Sequence, residues 1–373
     1  MTWRERIQGL DPVILWVTCG LVIFGLAMLM SASGPIAVQR TGNSLFYVRN
    51  QLLKGVFPGA LAFLFFSFLD YKRLKSLAFI GLIASIIALL LVYIPGIGVM
   101  INGARGWVRL GMIQFQPSEI AKLSFVIYLA AWLSTRKGDE AHRIDTGLLP
   151  FLGALGAVML LLILQPDTGS MMVIVATALL LYFLSGAPVG WFVGLSGIGA
   201  GLLWALIKFS PYRTARFTVF LHPELDPQGI GYHINQAILA IGSGGFWGVG
   251  YGHSRQKFLY LPEVESDSIS AVIAEEMGFV VIALLLSALG VLVWRCFKIA
   301  KEARDPFAAY IAAGIGGWIA VQAVVNIGSM SGLMPMTGVT LPFISYGGSA
   351  MTIMLAAMGI VAGIPYRQSH RRV

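Results

Sequence analysis

The 373-residue chain has little charge and almost no cysteine, and both shortages narrow what it can be. Only 12% of its residues are charged, whereas 57% are hydrophobic, above the roughly 45–50% of soluble domains. Its two cysteines, Cys19 and Cys296, fall in or beside apolar segments that we predict below to cross a membrane, near opposite sides of it, so no disulfide between them is expected. The sequence also lacks paired metal-binding histidines and a phosphate loop ending in Gly-Lys-Ser/Thr. We therefore expect no nucleotide, haem or flavin cofactor.

Long apolar runs predict an all-α polytopic membrane protein with about ten transmembrane helices. A span needs about 20 apolar residues, and in lipid its backbone must satisfy its own hydrogen bonds as a helix. The predicted spans are 13–32, 52–69, 76–95, 118–134, 148–165, 170–187, 190–208, 270–294, 307–329 and 347–365. The first run is long enough to anchor the chain rather than to be a cleavable signal. Without linkers or internal repeats, residues 1–373 are predicted to form one integral membrane domain.

Lysine and arginine mark both termini and alternate loops, and cytoplasmic loops are enriched in these residues. The residues concerned are Arg4, Arg6, Lys72, Arg73, Lys75, Arg136, Lys137, Arg143, Arg295, Lys298, Lys301, Arg304, Arg367, Arg371 and Arg372. Both termini are therefore predicted to be cytoplasmic, and the large loop 209–269, between the seventh and eighth spans, to face outward. The net charge of +9 then mainly reflects the lysine and arginine residues that set the orientation of the chain in the membrane. Because the basic residues are dispersed among spans, we expect no nucleic acid partner.

The most informative polar segment reads LPEVESDS and lies at the mouth of the eighth span. The acids in and after this segment are Glu263, Glu265, Asp267, Glu275 and Glu276. Ionisable groups at membrane depth cost about 2.5–3.5 kcal/mol each on insertion scales, so they indicate a functional site. Asp267 is the candidate general base, and a second carboxylate nearby would raise its proton affinity. Alternatively, Asp267, Glu263 and Glu275 bind a divalent cation, or Ser266 or Asp267 simply caps the helix.

A second polar region surrounds the start of the fourth span. Glu119 lies in the first helical turn and Lys122 three residues later on the same face, which favours a buried ion pair, a charged cavity wall, or both. Arg105 and Arg109 precede them and are predicted to be interfacial anchors or to hold a diphosphate.

Two uncharged regions are rich in glycine. Residues 242–252 predict either a tight loop with close helix packing or backbone amides that approach a phosphate. The segment 326–349 is too rich in Gly and Pro for a regular helix and is expected to pack into protein or to line a cavity. Its residues Ser345, Tyr346 and Ser349 are candidates to bind a sugar or to cap the last helix.

Several long motifs occur in a fixed order along the chain. They are RGWVRLG from Arg105, QPSEIAK from Gln116, QPDTG from Gln165, SGGFWGVG from Ser243, SRQKFLYLPE from Ser254, AEEMGF from Ala274 and GVTLPFISYGGS from Gly338. Together they resemble the SEDS family, which comprises FtsW, RodA and SpoVE. The resemblance runs from Asp11 to the last span.

This resemblance implies ten transmembrane helices and a peptidoglycan glycosyltransferase of the bacterial cytoplasmic membrane. Family members polymerise lipid II at the outer face, with undecaprenyl-diphosphate-linked glycan as the growing strand. They act with a class B penicillin-binding protein, which supplies the transpeptidase, and with other divisome membrane proteins. A divalent cation, Mg²⁺ or Mn²⁺, is also implied.

The resemblance carries site residues over to this chain. The family's catalytic aspartate falls on Asp267, its charged pair on Glu119 and Lys122, and other matching positions are Arg109, Asp167, Gln236, Lys257 and Glu263. Arg109, Lys257 and the cation would stabilise the leaving diphosphate while Asp267 deprotonates the acceptor's 4-hydroxyl, with inversion at the donor sugar. The family usually reads HTDFIF around the aspartate, whereas this chain reads ESDSIS at 265–270.

The details of three motifs resemble FtsW, the division enzyme, or SpoVE more than RodA, and of these we favour FtsW. They are MSAS at Met30–Ser33, IYLAAWLS at Ile127–Ser134 and GVTLP at Gly338–Pro342. We therefore expect a septal enzyme, with a RodA-like elongation polymerase as the alternative. A lipid II flippase or a non-catalytic scaffold for the transpeptidase are the other classes, although acids and bases clustered on the outer side favour surface chemistry.

Overall fold

Helices make up most of the computed structural model, which describes residues 9–101, 104–111, 113–136, 140, 143–209, 211–226 and 228–369. The α-helices are α1 Pro12–Thr41, α2 Phe46–Phe68, α3 Tyr71–Leu91, α4 Pro117–Leu133, α5 Ile144–Leu164, α6 Thr168–Leu184, α7 Val189–Phe209, α8 Pro211–Leu221, α9 Ile230–Gly244, α10 Ile269–Glu302, α11 Pro306–Met330 and α12 Gly348–Ser369. Helices α2 and α5 include π-helical turns at Leu52–Val56 and Ile144–Leu148. The basic residues Arg4, Arg6, Lys137, Arg371 and Arg372 lie outside the described residues.

Each of the ten predicted spans overlaps one of these helices. Among the described residues, seven helices are long and apolar enough to cross a membrane: α1, α2, α3, α5, α10, α11 and α12. Helices α4 and α6 are shorter, at 17 residues each. Large apolar side chains such as Ile23, Phe79 and Leu284 are more than 60% exposed, as expected where helices face lipid. The chain is therefore a multi-pass helical membrane protein.

The all-α prediction is wrong between α3 and α4, where a small antiparallel sheet forms in the order β1-β2-β3. Its strands are β1 Gly98–Ile101, β2 Ala104–Leu110 and β3 Ile113–Phe115. Strand β2 pairs Val108 with Gly98 on one side and with Phe115 on the other. Gly111, at φ 61°, supplies the turn into β3, a conformation that glycine adopts without a steric penalty.

Aspartates begin four of the helices, because a carboxylate at the N-cap accepts a hydrogen bond from an otherwise unpaired backbone N–H. Asp11 accepts from Ile14 N at 3.0 Å, and Asp167 accepts from Ser170 N at 2.9 Å. Asp70 and Asp305 cap α3 and α11 in the same way. Asp11 also pairs with Arg295 at 2.6 Å, which ties the start of α1 to the end of α10.

Helices α11 and α12 lie at the centre of the bundle, since 72% of the apolar window of each is buried within the protein. Helix α12 packs closely on α2 through glycine. A Cβ atom at Gly359 would lie 2.3 Å from the Phe63 carbonyl oxygen, and one at Gly363 would lie 2.4 Å from the Ser67 carbonyl oxygen. The two backbones could not approach this closely with any larger residue.

The segment 209–269, predicted as a loop, contains the helices α8 and α9. Helix α9 packs on the first turns of α10: a Cβ atom at Gly244 would lie 1.9 Å from the Ala274 carbonyl oxygen. Gly248 (φ 81°) and Gly278 (φ 73°) meet beside this contact, and Gly278 kinks α10. Of the two interpretations of the glycine-rich run, the structure therefore supports close packing.

Candidate functional site

A cavity of about 310 Å³ lies beside the start of α10. Its walls are formed by the sheet, the start of α4, the turn before α6, helices α8 and α9, the loop before α10 and the irregular segment after α11. Its lining residues are Gly106, Trp107, Gln116, Gln165, Pro166, Asp167, Arg216, Ile230, His233, Glu263, Asp267, Met336, Thr337 and Gly338. Three predicted site residues, Asp167, Glu263 and Asp267, therefore share one cavity.

The backbone of Asp267 is held by α11, and one side of its carboxylate lies against the segment that follows α11. The Asn326 side-chain amide donates to the Asp267 carbonyl oxygen at 2.9 Å and to the Val339 carbonyl oxygen at 2.7 Å. Gly338 (φ 70°) lies against the carboxylate, because a Cβ atom built there would be 3.9 Å from Asp267 Oδ2. Asp267 Oδ1 is buried and has no hydrogen-bond partner among the described residues.

Burial raises the pKa of the Asp267 carboxyl to about 7, and the negative charge of Glu263 adds to this rise. The positive charge of Arg216 opposes it, and Glu265 makes a smaller contribution in the upward direction. A carboxylate whose pKa lies near the working pH is suited to accept a proton from a sugar hydroxyl. Asp267 therefore combines a place in the cavity lining with a raised proton affinity.

His233 and Arg216 line the cavity, and our sequence analysis singled out neither. His233 Nε2 and Ser268 Oγ lie 2.6 Å apart, which links α9 to the residue that follows Asp267. Burial, together with the charge of Arg216, lowers the pKa of His233 to about 4, so the imidazole is neutral at pH 7. The sequence feature that could have indicated these two residues was their position in the segment 209–269, which is predicted to face outward.

Asp167 lies across the cavity from α10, at the N-terminus of α6. Its Oδ1 accepts from Ser170 N at 2.9 Å, and its Oδ2 accepts from Gln116 Nε2 at 3.5 Å. The QPDTG and QPSEIAK motifs are therefore brought together at this wall. Asp167 both caps its helix and presents a carboxylate to the cavity.

Glu119 and Lys122 form the predicted buried ion pair, with Lys122 Nζ 2.7 Å from Glu119 Oε1. Lys122 also donates to Gln322 Oε1 at 3.1 Å, and Trp318 Nε1 donates to the same oxygen at 2.7 Å. Neither charged residue lines the cavity described above. The pair therefore joins α4 to α11, which confirms the predicted buried ion pair.

Lys257 does not lie where a cation for the diphosphate was expected. It is 4% exposed, and its Nζ lies 2.8 Å from Glu276 Oε1 and 3.0 Å from Ser31 Oγ. The Glu275 carboxylate also has protein partners, since it accepts hydrogen bonds from Ser254 Oγ, Arg255 N and Gln256 N. Lys257 and Glu275 therefore hold the 252–257 turn against α10, and neither lines the cavity.

Three further predicted residues lie outside the cavity lining. Arg109 is exposed on β2 and donates to Gln114 Oε1 at 3.1 Å. Gln236 is half-buried on α9. Ser345 is 5% exposed and accepts from Leu341 N at 2.8 Å, which stabilises the turn before α12 rather than contacting a ligand in this cavity.

Glu265 stands where the family usually has histidine, and it ties the loop before α10 to the C-terminal end of α1. Its Oε1 lies 3.4 Å from Arg40 Nη1, and Arg40 also donates to the Tyr47 hydroxyl at 2.8 Å. The Glu265 carbonyl accepts from Tyr346 N at 2.8 Å. Burial raises the pKa of the Glu265 carboxyl above its usual range.

The carboxylates that line the cavity suit a cation only in part. Among the described residues, no group of three or more His, Cys, Asp or Glu side chains could hold a metal ion. Mg²⁺, however, is commonly bound by one or two carboxylates together with substrate phosphates. Glu263 and Asp267, with the unpartnered Asp267 Oδ1, fit that arrangement.

The fold and the cavity define a polytopic membrane protein with an acidic site at one end of its helical bundle. The family model of the cell cycle proteins FtsW, RodA and SpoVE matches residues 12–370. The chain therefore belongs to this family, as its motifs indicated.

Known proteins resemble the chain over almost its full length. Stage V sporulation protein E of Bacillus subtilis is 39% identical over 355 residues, covering 95% of this chain and 96% of that protein. A probable peptidoglycan glycosyltransferase FtsW of Thioalkalivibrio sulfidiphilus is 40% identical over 358 residues, covering 95% of this chain and 89% of that protein.

Two solved structures share the fold at 30% identity. A chain of a peptidoglycan synthase complex, solved to explain how polymerization and crosslinking are coordinated, superposes with a TM-score of 0.79 and covers 97% of this chain and 99% of that one. The rod shape determining protein RodA of Thermus thermophilus superposes with a TM-score of 0.70, covering 96% and 97%.

Proposed function

We propose that this protein is a peptidoglycan glycosyltransferase that polymerises lipid II, with Asp267 as its general base. The observation that carries this proposal is the buried carboxyl of Asp267, whose pKa is raised to about 7, in a cavity of about 310 Å³. The two relatives compared above support the same activity, since one is named as a peptidoglycan glycosyltransferase and the other belongs to the same family.

The reaction joins two lipid-linked sugars. Asp267 takes the proton from the acceptor's 4-hydroxyl, and that oxygen forms a bond to the anomeric carbon of the donor strand. The bond from the anomeric carbon to the diphosphate breaks, its electron pair stays on the diphosphate oxygen, and undecaprenyl diphosphate leaves. Attack from the opposite face inverts the anomeric centre.

Asn326, Gly338 and Glu263 serve this step in different ways. Asn326 fixes the Asp267 backbone, and the absence of a side chain at Gly338 leaves room beside Oδ2. Glu263 raises the proton affinity of Asp267. A divalent cation, Mg²⁺ or Mn²⁺, held by Glu263 and the substrate phosphates would stabilise negative charge on the diphosphate, while Asp267 keeps the raised pKa of a base.

The finer topology and the cellular role belong to this proposal. The distribution of lysine and arginine supports ten spans with cytoplasmic termini, so the cavity opens at the outer face of the bacterial cytoplasmic membrane. We further propose a septal enzyme of the FtsW type, acting with a class B penicillin-binding protein and other divisome membrane proteins. The likeness to a chain of a peptidoglycan synthase complex supports such a partner.

Polymerisation of purified lipid II tests the proposal directly. The full chain, with and without its transpeptidase, is incubated with lipid II and Mg²⁺, and the glycan products are separated by length. We expect glycan strands that are lost in Asp267→Asn. Transport of lipid II across a vesicle membrane without glycan synthesis would support a flippase instead.

A further inference from the structure

The cavity that contains Asp267 has a cationic side which our sequence analysis did not identify. Three of its lining residues, Asp167, Glu263 and Asp267, are acids. Within the described lining, Arg216 is the one Lys or Arg side chain, and the neighbouring His233 is neutral at pH 7. A leaving diphosphate carries negative charge that must be met by cations in the site.

Arg216 is fixed in relation to the proposed base. Its Nη1 donates to the Met336 carbonyl oxygen at 3.2 Å. Met336 belongs to the irregular segment that also places Gly338 against the Asp267 carboxylate. Arg216 also lines the same cavity as Asp267, which places its guanidinium in one site with the proposed base.

The two cations that the sequence suggested for this role are engaged elsewhere. Lys257 is buried against Glu276, and Arg109 is exposed on β2, bonded to Gln114. Neither residue lines the cavity. Arg216, in contrast, does line the cavity. Its guanidinium presents a planar fork of donors that matches two phosphate oxygens at once.

We propose that Arg216 binds the diphosphate of the donor strand and stabilises the charge that develops as the bond to the anomeric carbon breaks. This inference rests on the proposed function, and it specifies which substrate group the cavity recognises. The acceptor lipid II also carries a diphosphate, but that group lies at the far end of its disaccharide from the hydroxyl that reacts. The donor's diphosphate is bonded to the reacting carbon itself, so it is the one that Arg216 and Asp267 can share in a single cavity.

The test uses the full chain with its transpeptidase partner, and undecaprenyl diphosphate as the probe. We measure the initial rate of lipid II polymerisation, the KM for lipid II and inhibition by added undecaprenyl diphosphate. In Arg216→Gln we expect the rate to fall and the inhibition constant to rise, each by about 10- to 100-fold, because a charged hydrogen-bonding group is lost. The rate and inhibition constant of Arg216→Lys should lie between those of Arg216→Gln and those of the unchanged protein. Arg49 is exposed, so Arg49→Gln should behave as the unchanged protein.

Other outcomes overturn the inference. A folded Arg216→Gln protein with an unchanged rate and inhibition constant would show that Arg216 does not bind the diphosphate. A raised KM for lipid II with unchanged product inhibition would assign Arg216 to the acceptor instead. If Arg216→Gln does not fold, Arg216→Lys carries the test, and an unchanged inhibition constant in that variant overturns the proposal.

Failure of the proposed function is distinguishable from failure of this inference. Direct binding of undecaprenyl diphosphate is compared with binding of uncharged undecaprenol, with no lipid II present. If the unchanged protein makes no glycan but binds the diphosphate in a manner that depends on Arg216, the glycosyltransferase proposal fails and the diphosphate site stands. If the unchanged protein makes glycan but binds the diphosphate equally well after Arg216 is replaced, the glycosyltransferase proposal stands and the assignment of the diphosphate to Arg216 fails.

Discussion

The Asn326 side-chain amide donates to the Asp267 carbonyl oxygen across the gap between α11 and the loop before α10. The same amide donates to the Val339 carbonyl, so one side chain fixes both the base and the segment that faces it. Asn326→Ala leaves two buried carbonyls without this donor, at a cost of about 1–3 kcal/mol each.

The consequence for catalysis is a defect in rate rather than in binding. In Asn326→Ala we expect kcat for lipid II polymerisation to fall about tenfold with little change in KM. Without the Asn326 hydrogen bond the Asp267 carboxylate is displaced slightly, and it accepts the proton of the hydroxyl less efficiently. The exposed Asn43→Ala serves as the control. A large rise in KM at constant kcat would argue against a positioning role.

Asp267→Asn tests the base itself. Asparagine keeps the size of the residue, so folding and lipid II binding should persist, while loss of base catalysis should lower polymerisation by about 10²–10⁴-fold. Asp267→Glu should recover little, because the extra methylene moves the carboxylate. Polymerisation close to normal by folded Asp267→Asn would exclude this residue, and Glu263 would become the candidate.

The pH dependence of the rate follows from the raised pKa of Asp267, about 7. Below this pH the carboxyl is protonated and cannot accept a proton, so the polymerisation rate should fall as pH decreases through about 7. The residual activity of Asp267→Asn should not show this fall. Initial rates measured in a constant-ionic-strength buffer series, at the lowest cation concentration that supports activity, provide the check, and a flat profile would contradict it.

The buried pair of Glu119 and Lys122 predicts strong coupling in stability. Lys122→Met leaves a buried carboxylate uncompensated, which costs about 3–5 kcal/mol, and adding Glu119→Gln should recover part of this loss. Thermal unfolding in detergent measures both variants and the double variant. As a control, Arg143→Met breaks the exposed pair with Asp145 and should change little. Additive effects at Glu119 and Lys122 would contradict coupling.

The predicted orientation is tested with single cysteines in a Cys19→Ser background. Ser44 is exposed between α1 and α2, and Thr135 is exposed after α4. A membrane-impermeant maleimide added to intact cells should label Ser44→Cys but not Thr135→Cys. Labelling of Thr135→Cys before lysis would refute cytoplasmic placement of that loop.

The spans were predictable because lipid imposes a strong length and hydropathy requirement on each helix. Asp267 was identifiable because acids are rare in this chain and a family motif surrounds one of them. The sheet was not, since its strands of three to seven residues give too little pattern for detection.

Spacing alone predicted contacts only between residues that are close in sequence, whereas Asp167, which shares the cavity with Glu263 and Asp267, was identified through the family motifs. Glu119 and Lys122 lie on one helical face, so their spacing predicted their contact. Lys257 meets Glu276 only because the chain turns back between them, and no spacing rule predicts that partner. Arg216 and His233 share a cavity with Asp267 because α9 packs on α10 and α8 packs on α9, which depends on tertiary packing.

The kink at Gly278 divides α10 into a short first part and a long second part. Such a break leaves two backbone carbonyls before it and two backbone N–H groups after it without their helical partners. The 245–250 turn supplies all four partners: the N–H groups of Val249 and Gly250 donate to the carbonyls, and the carbonyls of Gly245 and Phe246 accept from the N–H groups. The kink is therefore a clamped break rather than a free hinge, and it ties the long second part of α10 to the end of α9.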